Sequence, residues 1–230
     1  MNTLTERLNQ IRAQITKAEG TYARAANSVT LLAVSKTRPI EDIEQAYAAG
    51  QRDFGENYLQ DALPKIQAFT DKDIIWHYIG PMQSNKTRPI AEHFQWVHSV
   101  DRLKIAQRLS EQRPDDLPPL NICLQVNISE DPAKAGVSAS EAAEIAEALS
   151  QLPRIRLRGL MTIPVYNDNF EQQRIPFHKL RECYEAIKSN GIELDTLSMG
   201  MTGDMQAAIA EGATLVRIGT AIFGERQARK

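Results

Sequence analysis

Cysteine is nearly missing: Cys123 and Cys183 are the only two in 230 residues. That excludes a disulfide framework, and nothing else points to an oxidising compartment. Basic charge is not in excess either. A formal charge of −2 leaves no electrostatic footprint for nucleic acid, so no nucleic-acid partner is expected. No apolar run approaches the length that crosses a bilayer, which excludes a membrane span. His77, His93, His98 and His178 lack HExxH-type spacing, and there is no CxxC pair, so no metal site is expected. Aromatics amount to 6%, and Trp76 and Trp96 read as core or barrel-wall residues rather than stacking platforms. Hydrophobic content of 42% beside 24% charged residues is ordinary for a folded protein, which excludes dominant disorder. The opening stretch places Leu4, Leu8, Ile11 and Ile15 at helical spacing among charges, so it is an amphipathic helix and not a signal peptide. A cytoplasmic protein is the resulting expectation.

What is present centres on residues 31–40, LLAVSKTRPI. Leu31 to Val34 read as a buried strand, and Thr37, Arg38 and Pro39 turn the chain into a helix. Lys36 therefore stands at the carboxyl end of a strand, where parallel α/β folds keep their chemistry. Apolar walls there would lower the pKa of its amine and ready it for Schiff-base formation; the competing reading is a solvated lysine. KTRPI recurs at 86–90, which makes Lys86 a rival. Lys36 is preferred because it directly follows its strand, whereas Lys86 lies well beyond Ile79.

The rest of the chain alternates. Helices are expected near 40–49, 58–69, 84–92, 101–112, 140–152, 177–189 and 204–211, and a short one from Thr220. Between them lie apolar strands, among them Ile74–Ile79, Trp96–Val100, Leu120–Ile128, Ile155–Met161, Thr196–Met199 and Thr214–Ile218. Residues 162–176 form the longest irregular stretch, and loops of that size are usually functional or mobile. Eight strands alternating with helices, behind an extra N-terminal helix, predict an α/β (β/α)8 TIM-type barrel occupying residues 1–230 as one domain. A doubly wound open sheet is the alternative, since alternation cannot by itself prove closure.

Two glycine-bearing turns join the last strands to their helices: Leu197-Ser198-Met199-Gly200-Met201-Thr202-Gly203-Asp204 and Val216-Arg217-Ile218-Gly219-Thr220. Backbone amides and hydroxyls at such helix starts can cradle a phosphate, and barrels often place one after strands seven and eight. Asp204 reads equally as a helix N-terminal charge.

Together LLAVSKT, FGENY, WHYIG with PMQSNK, RGLMTI, LSMGMTGDM and VRIGTAIFG resemble the pyridoxal 5′-phosphate homeostasis protein family, relatives of the amino-terminal barrel of alanine racemase. The resemblance runs from about residue 4 to residue 225, with all six motifs in order. It implies that Lys36 holds pyridoxal 5′-phosphate as a Schiff base. It also implies that Ser198, Gly200, Met201, Thr202, Gly219 and Thr220 surround the phosphate, that Arg217 faces the pyridine nitrogen, and that Asn57 and His77 line the pocket. Family members more often carry serine where this chain has Thr202; the hydroxyl is retained.

Two functions share that site: a carrier or regulator in vitamin B6 homeostasis, and an amino-acid racemase. Racemisation needs a proton acceptor on each face of the substrate. In the racemase relatives the second is a tyrosine supplied through a further domain and a partner subunit. Here the chain stops at Lys230, just past the barrel, so no such domain is expected. A guanidinium cannot protonate the pyridine nitrogen as a carboxylic acid could, which limits the carbanion chemistry available. The carrier reading is favoured. It makes apo pyridoxal-phosphate enzymes the partners and the protein a monomer. Tyr58, Tyr78 and Tyr166 are the tyrosines to watch, and the bland role for Tyr166 is packing in a loop that gates the pocket.

Overall fold

Thr3 and Glu6 close a capping box at the start of α1 (Leu4–Thr21): the Thr3 hydroxyl accepts from the Glu6 N–H, and the Glu6 carboxylate accepts from the Thr3 N–H. In this computed structural model, which describes residues 2–225, α1 buries Leu4, Leu8, Ile11 and Ile15. After it come β1 (Thr30–Val34), α2 (Ile40–Ala48), β2 (Asp53–Glu56), α3 (Leu59–Ala68) and β3 (Ile75–Tyr78). A 3-10 turn (Ser84–Lys86) leads into α4 (Thr87–His93), followed by β4 (Trp96–Val100), α5 (Leu103–Gln112), β5 (Leu120–Gln125) and α6 (Ala142–Ser150). The chain continues through β6 (Ile155–Met161), α7 (Phe170–Ser189), β7 (Thr196–Ser198), α8 (Met205–Ala210), β8 (Leu215–Ile218) and α9 (Thr220–Phe223).

Each strand pairs in parallel with the next, and β8 pairs with β1, Thr30 opposite Leu215 through Ala33 opposite Ile218. The sheet is closed, so this is a (β/α)8 barrel with an N-terminal helix, and the open-sheet alternative falls away. Alternation along the strands sorts side chains into two cores. Phe54 and Trp76 point outward and pack with Phe69 as tilted rings beneath the helices. Gly55 faces inward, where a Cβ would meet Leu32 and Ile79. The extra helix packs on α9, α8 and α2, and Arg7 donates from Nε to the Ile222 carbonyl at 2.6 Å. α1 thereby supports the helix that follows the last strand.

Three expectations are corrected. The stretch 162–176 is irregular only over 162–169, because α7 begins at Phe170 and carries Pro176 inside it. Asn169 caps this helix by accepting from the Gln172 N–H at 3.1 Å. Proline there sacrifices one backbone bond, and burial of Phe177, Leu180, Tyr184 and Ile187 offsets that loss. Strand five ends at Gln125 instead of Ile128. Beyond it the backbone curls so that Asn127 donates to the Val137 carbonyl and Val137 to the Gln125 carbonyl. Gly136, at φ 125°, makes the curl possible, since a Cβ would lie 2.6 Å from the Asn127 nitrogen. The helix expected from residue 101 begins at Leu103, with Arg102 in the N-cap position.

Candidate functional site

A cleft of about 250 Å³ opens at the carboxyl ends of the strands. Lys36, Asn57, Met201, Thr202, Arg217, Gly219 and Thr220 all line it. So do Val34, Ile79, Met161, Ile163 and Gly203, which the sequence did not single out; they supply apolar walls around the polar groups. A groove of about 480 Å³ beside α6 and the start of β6 is larger, but it lies at the amino-terminal side of the barrel. Parallel barrels carry their sites at the opposite end, and the convergent cation, amide and hydroxyls are here.

Lys36 is presented by a pinned turn. Ser35 accepts from the Arg38 N–H through its carbonyl at 3.0 Å, closing the bend. Thr37 adopts φ 64°, a left-handed conformation that a β-branched residue rarely takes. Behind the bend, the Ser35 hydroxyl donates to Glu56 Oε1 at 2.5 Å, and Lys65 on α3 donates to that oxygen at 2.8 Å and to the Ser35 carbonyl at 2.9 Å. Residue 35 thus faces the helix layer, and residue 36, by alternation, faces the cleft. Lys86 ends the 3-10 turn after β3 and lines a neighbouring hollow of about 290 Å³ with Asn57, Tyr58 and Gln83.

The floor is Arg217, in β8 and nearly buried. Its Nη1 donates to the Ser198 carbonyl at 2.6 Å and the Ser198 hydroxyl at 2.8 Å, and its Nη2 donates to the Thr162 carbonyl at 2.9 Å. Burial pulls its pKa down to about 10, partly countered by Asp204, so the guanidinium stays charged at neutral pH. Among the described residues these bonds engage three of its five N–H groups, leaving Nε–H and one on Nη2.

The small-residue turns form the far wall. Gly200 has φ 96°, and a Cβ there would lie 2.6 Å from that of Ala208, so only glycine fits this close approach to α8. Asp204 accepts from the Met201 N–H at 2.6 Å, holding the turn; burial raises its carboxyl pKa while that bond and Arg217 pull it back. The Gly219 carbonyl takes the Ile222 and Phe223 amides at 2.9 Å, which leaves the first-turn amides of Thr220 and Ala221 outside the helix's own bonding. A Cβ on Gly219 would press on Val34 at 3.3–3.4 Å. Tyr166, exposed at the rim, rests its ring on Gly203 and donates its hydroxyl to Asp168 at 2.6 Å.

Three expected site residues are not on the cleft surface. Ser198 is fully buried below Arg217, and Gly200 lies behind the wall it shapes. His77 sits inside the barrel, with its Nδ1 2.9 Å from His98 Nε2 and its Nε2 3.0 Å from Asp53 Oδ1. It is the third residue of β3, so its ring is level with the barrel interior, while Ile79, two residues on, reaches the cleft. Asp53, His98, Glu56 and Lys65 were missed. Period-two alternation through His77 and His98 was the available signal, but partners on other strands are invisible in one sequence. Among the described residues no group of three or more potential ligands could hold a metal ion, and no helix is long and apolar enough to cross a membrane.

Comparison with known proteins agrees with this fold. Residues 7–227 match the family described as alanine racemase, N-terminal domain. The pyridoxal phosphate homeostasis protein of Pseudomonas aeruginosa is 56% identical over 226 residues, covering 98% of this chain and 97% of its own. The structure of PipY from Synechococcus elongatus with PLP bound superposes with TM-score 0.85 at 38% identity, covering 96% of this chain and 100% of PipY. Alanine racemase from Corynebacterium glutamicum shares the fold, with TM-score 0.67 at 17% identity; the match covers 96% of this chain but 62% of the racemase.

Proposed function

The chain belongs to the pyridoxal phosphate homeostasis proteins of the alanine racemase N-terminal domain family, and on that premise we propose that it holds pyridoxal 5′-phosphate as a Schiff base on Lys36 and acts as a carrier or regulator of that cofactor in the cytoplasm. The observation that carries this is one cleft that gathers a strand-end lysine, a buried arginine and two glycine-bearing turns. Asn57 Oδ1, buried and without a hydrogen-bond partner among the described residues, lies on the same surface and suits a ligand donor.

When bound, pyridoxal 5′-phosphate supplies an aldehyde that condenses with an amine and a phosphate that draws hydrogen-bond donors. Lys36 supplies the amine, aimed by its pinned turn. Thr202, Thr220 and the first-turn amides of α9 supply donors where the helix end is electropositive. Arg217 would offer a remaining N–H group to the ring nitrogen and, staying charged, would orient the ring without transferring a proton to it. Val34, Ile79 and Met161 would shield a bound cofactor from water. Ser198 and Gly200 act from beneath, by holding Arg217 and by letting the turn approach.

The carrier reading is supported by the relatives' names and by the side chains at the open face. Tyr166, at the rim, donates its hydroxyl hydrogen to Asp168, and that bond raises its pKa and keeps it protonated, so it is a poor base at neutral pH. Release to apo pyridoxal-phosphate enzymes, by a monomer, completes the proposal. Borohydride reduction followed by peptide mapping is expected to find the label on Lys36; label on Lys86 would refute the lysine assignment. Holo-protein incubated with L- and D-amino acids in deuterated water is expected to show no rapid α-proton exchange. Rapid exchange that disappears in Tyr166→Phe with cofactor still bound would establish a racemase instead.

A further inference from the structure

Below the cleft, polar side chains continue down the barrel axis to its opposite mouth. Ser198 Oγ lies 2.8 Å from Arg217 Nη1 and 2.7 Å from His98 Nδ1. His98 Nε2 lies 2.9 Å from His77 Nδ1, and His77 Nε2 lies 3.0 Å from Asp53 Oδ1. Asp53 begins β2 and lines a hollow of about 350 Å³ at the amino-terminal mouth, its side chain 23% exposed. The chain therefore spans the barrel from cleft to solvent on the other side.

Its polarity follows from the chemistry of its ends. Arginine has donors only, so the Ser198 oxygen accepts from Arg217 and directs its own proton at His98 Nδ1. A ring nitrogen that accepts carries no hydrogen, so the proton of neutral His98 is on Nε2 and points at His77 Nδ1. By the same step the proton of His77 is on Nε2 and points at Asp53. Both rings are buried, and burial holds their pKa values down, that of His98 well down with help from His77 and Arg217. Trp96 stacks on His77 at 5.5 Å and lies against His98 at 5.7 Å, covering faces that water would otherwise reach. The charged groups facing the two rings are Asp53 at one end and Arg217 at the other; Arg158, over the far side of Trp96, is paired with Asp195.

We infer that Asp53, His77 and His98 form a one-directional relay that positions Arg217 from the opposite mouth of the barrel, with each ring locked as its Nε2–H tautomer. Three of the five Arg217 donors are committed to Ser198 and Thr162. The relay fixes the Ser198 hydroxyl, and so fixes which two donors are presented to the cleft. A buried chain of this kind is stable only when every member is satisfied, and here it has one fully satisfied arrangement. The consequence for ligand binding rests on the reading of the cleft as a pyridoxal 5′-phosphate site; the polarity does not.

Two-bond proton–nitrogen correlation spectra of the histidine-labelled full chain, without ligand at neutral pH, read the tautomers directly. The expected result is bare Nδ1 and protonated Nε2 on both His77 and His98. An Nδ1–H tautomer or a doubly protonated ring at either position would overturn the relay. In Asp53→Ala the Arg217–Ser198 end still sets the polarity, so both rings are expected to keep Nε2–H, while the His77 Nε2 signal shifts on loss of its acceptor. Pyridoxal 5′-phosphate should then bind roughly fivefold more weakly, the scale of one hydrogen bond. Asp53→Asn, whose side-chain oxygen can accept, should restore both readouts. A folded Asp53→Ala with an unchanged His77 Nε2 signal and unchanged affinity would overturn the coupling. Should that variant fail to fold, Ser198→Ala cuts the chain at its other end, and a shift of the His98 Nδ1 signal on loss of its donor is expected with Nε2–H retained; an unchanged His98 Nδ1 signal would also overturn it. Expected tautomers in a protein that binds no pyridoxal 5′-phosphate would support the relay's polarity and refute the reading of the cleft.

Discussion

Lys65 and Glu56 meet 2.8 Å apart behind the strand end that carries Lys36, both buried, and Lys65 also donates to the Ser35 carbonyl at 2.9 Å. Glu56 Oε1 additionally accepts from the Ser35 hydroxyl, while its Oε2 has no hydrogen-bond partner among the described residues. Burial pushes the Glu56 carboxyl pKa up and Lys65 pulls it down, with burial the larger effect. The pair costs desolvation and in return ties β1, β2 and α3 together at the point where the lysine must be aimed.

Lys65→Met is expected to destabilise the protein by about 3–5 kcal/mol, because it leaves Glu56 buried without its partner. Lys65→Met combined with Glu56→Leu should recover most of that loss. Denaturant unfolding of the two variants measures both, and a double variant no better than the single would show that the pair's role is not charge compensation.

Thr37→Gly should raise stability by about 1 kcal/mol, since glycine enters the left-handed region without the penalty a β-branched residue meets. The same change loosens the bend after Lys36, so weaker pyridoxal 5′-phosphate binding is expected alongside the gain. Thermal melts without ligand and a ligand titration separate the two effects.

Gly219→Val fills the space between the α9 start and Val34, where even a Cβ already meets the Val34 carbonyl at 3.3 Å. Binding of pyridoxal 5′-phosphate is expected to fall by about tenfold or more, the cost of losing donors to a charged group. Pyridoxal, which has no phosphate, should lose much less. Equal losses for both ligands would argue against a phosphate role for this turn.

Acid should destabilise the fold through His77 and His98, both held neutral by burial with lowered pKa values. In the unfolded chain they take up protons near pH 6.5, so below that pH the unfolded state binds more protons. Stability then falls as pH drops through this window, by up to about 1.4 kcal/mol per unit for each ring. Unfolding free energies compared at pH 7 and pH 5.5 test this, and His98→Gln should remove about half of the slope.

The barrel and its lysine were legible because their signals are local. A strand that ends in Ser35-Lys36 before a proline-led helix puts that lysine at the carboxyl end of the sheet in any parallel α/β arrangement. Asn57, Met201, Thr202, Arg217, Gly219 and Thr220 are implied as site residues by the resemblance of the motifs to the family, and the structure brings all of them to one cleft. The start of α7 was not legible: Pro176 reads as a breaker along the chain, and only the buried face behind it outweighs the lost backbone bond.

His77 shows where that reach ends. Strand three and its helix follow from its neighbours, but whether position 77 faces the cleft or the barrel interior depends on its register against β2 and β4. Strand closure brings Asp53, His98 and Ser198, on three other strands, to one axis. Element type and order are written in the local pattern of apolar residues, glycines and prolines, because backbone sterics and burial period act over a few residues. Which polar groups meet inside the barrel was decided by the closed sheet alone, because hydrogen bonds between distant strands depend on register and tilt.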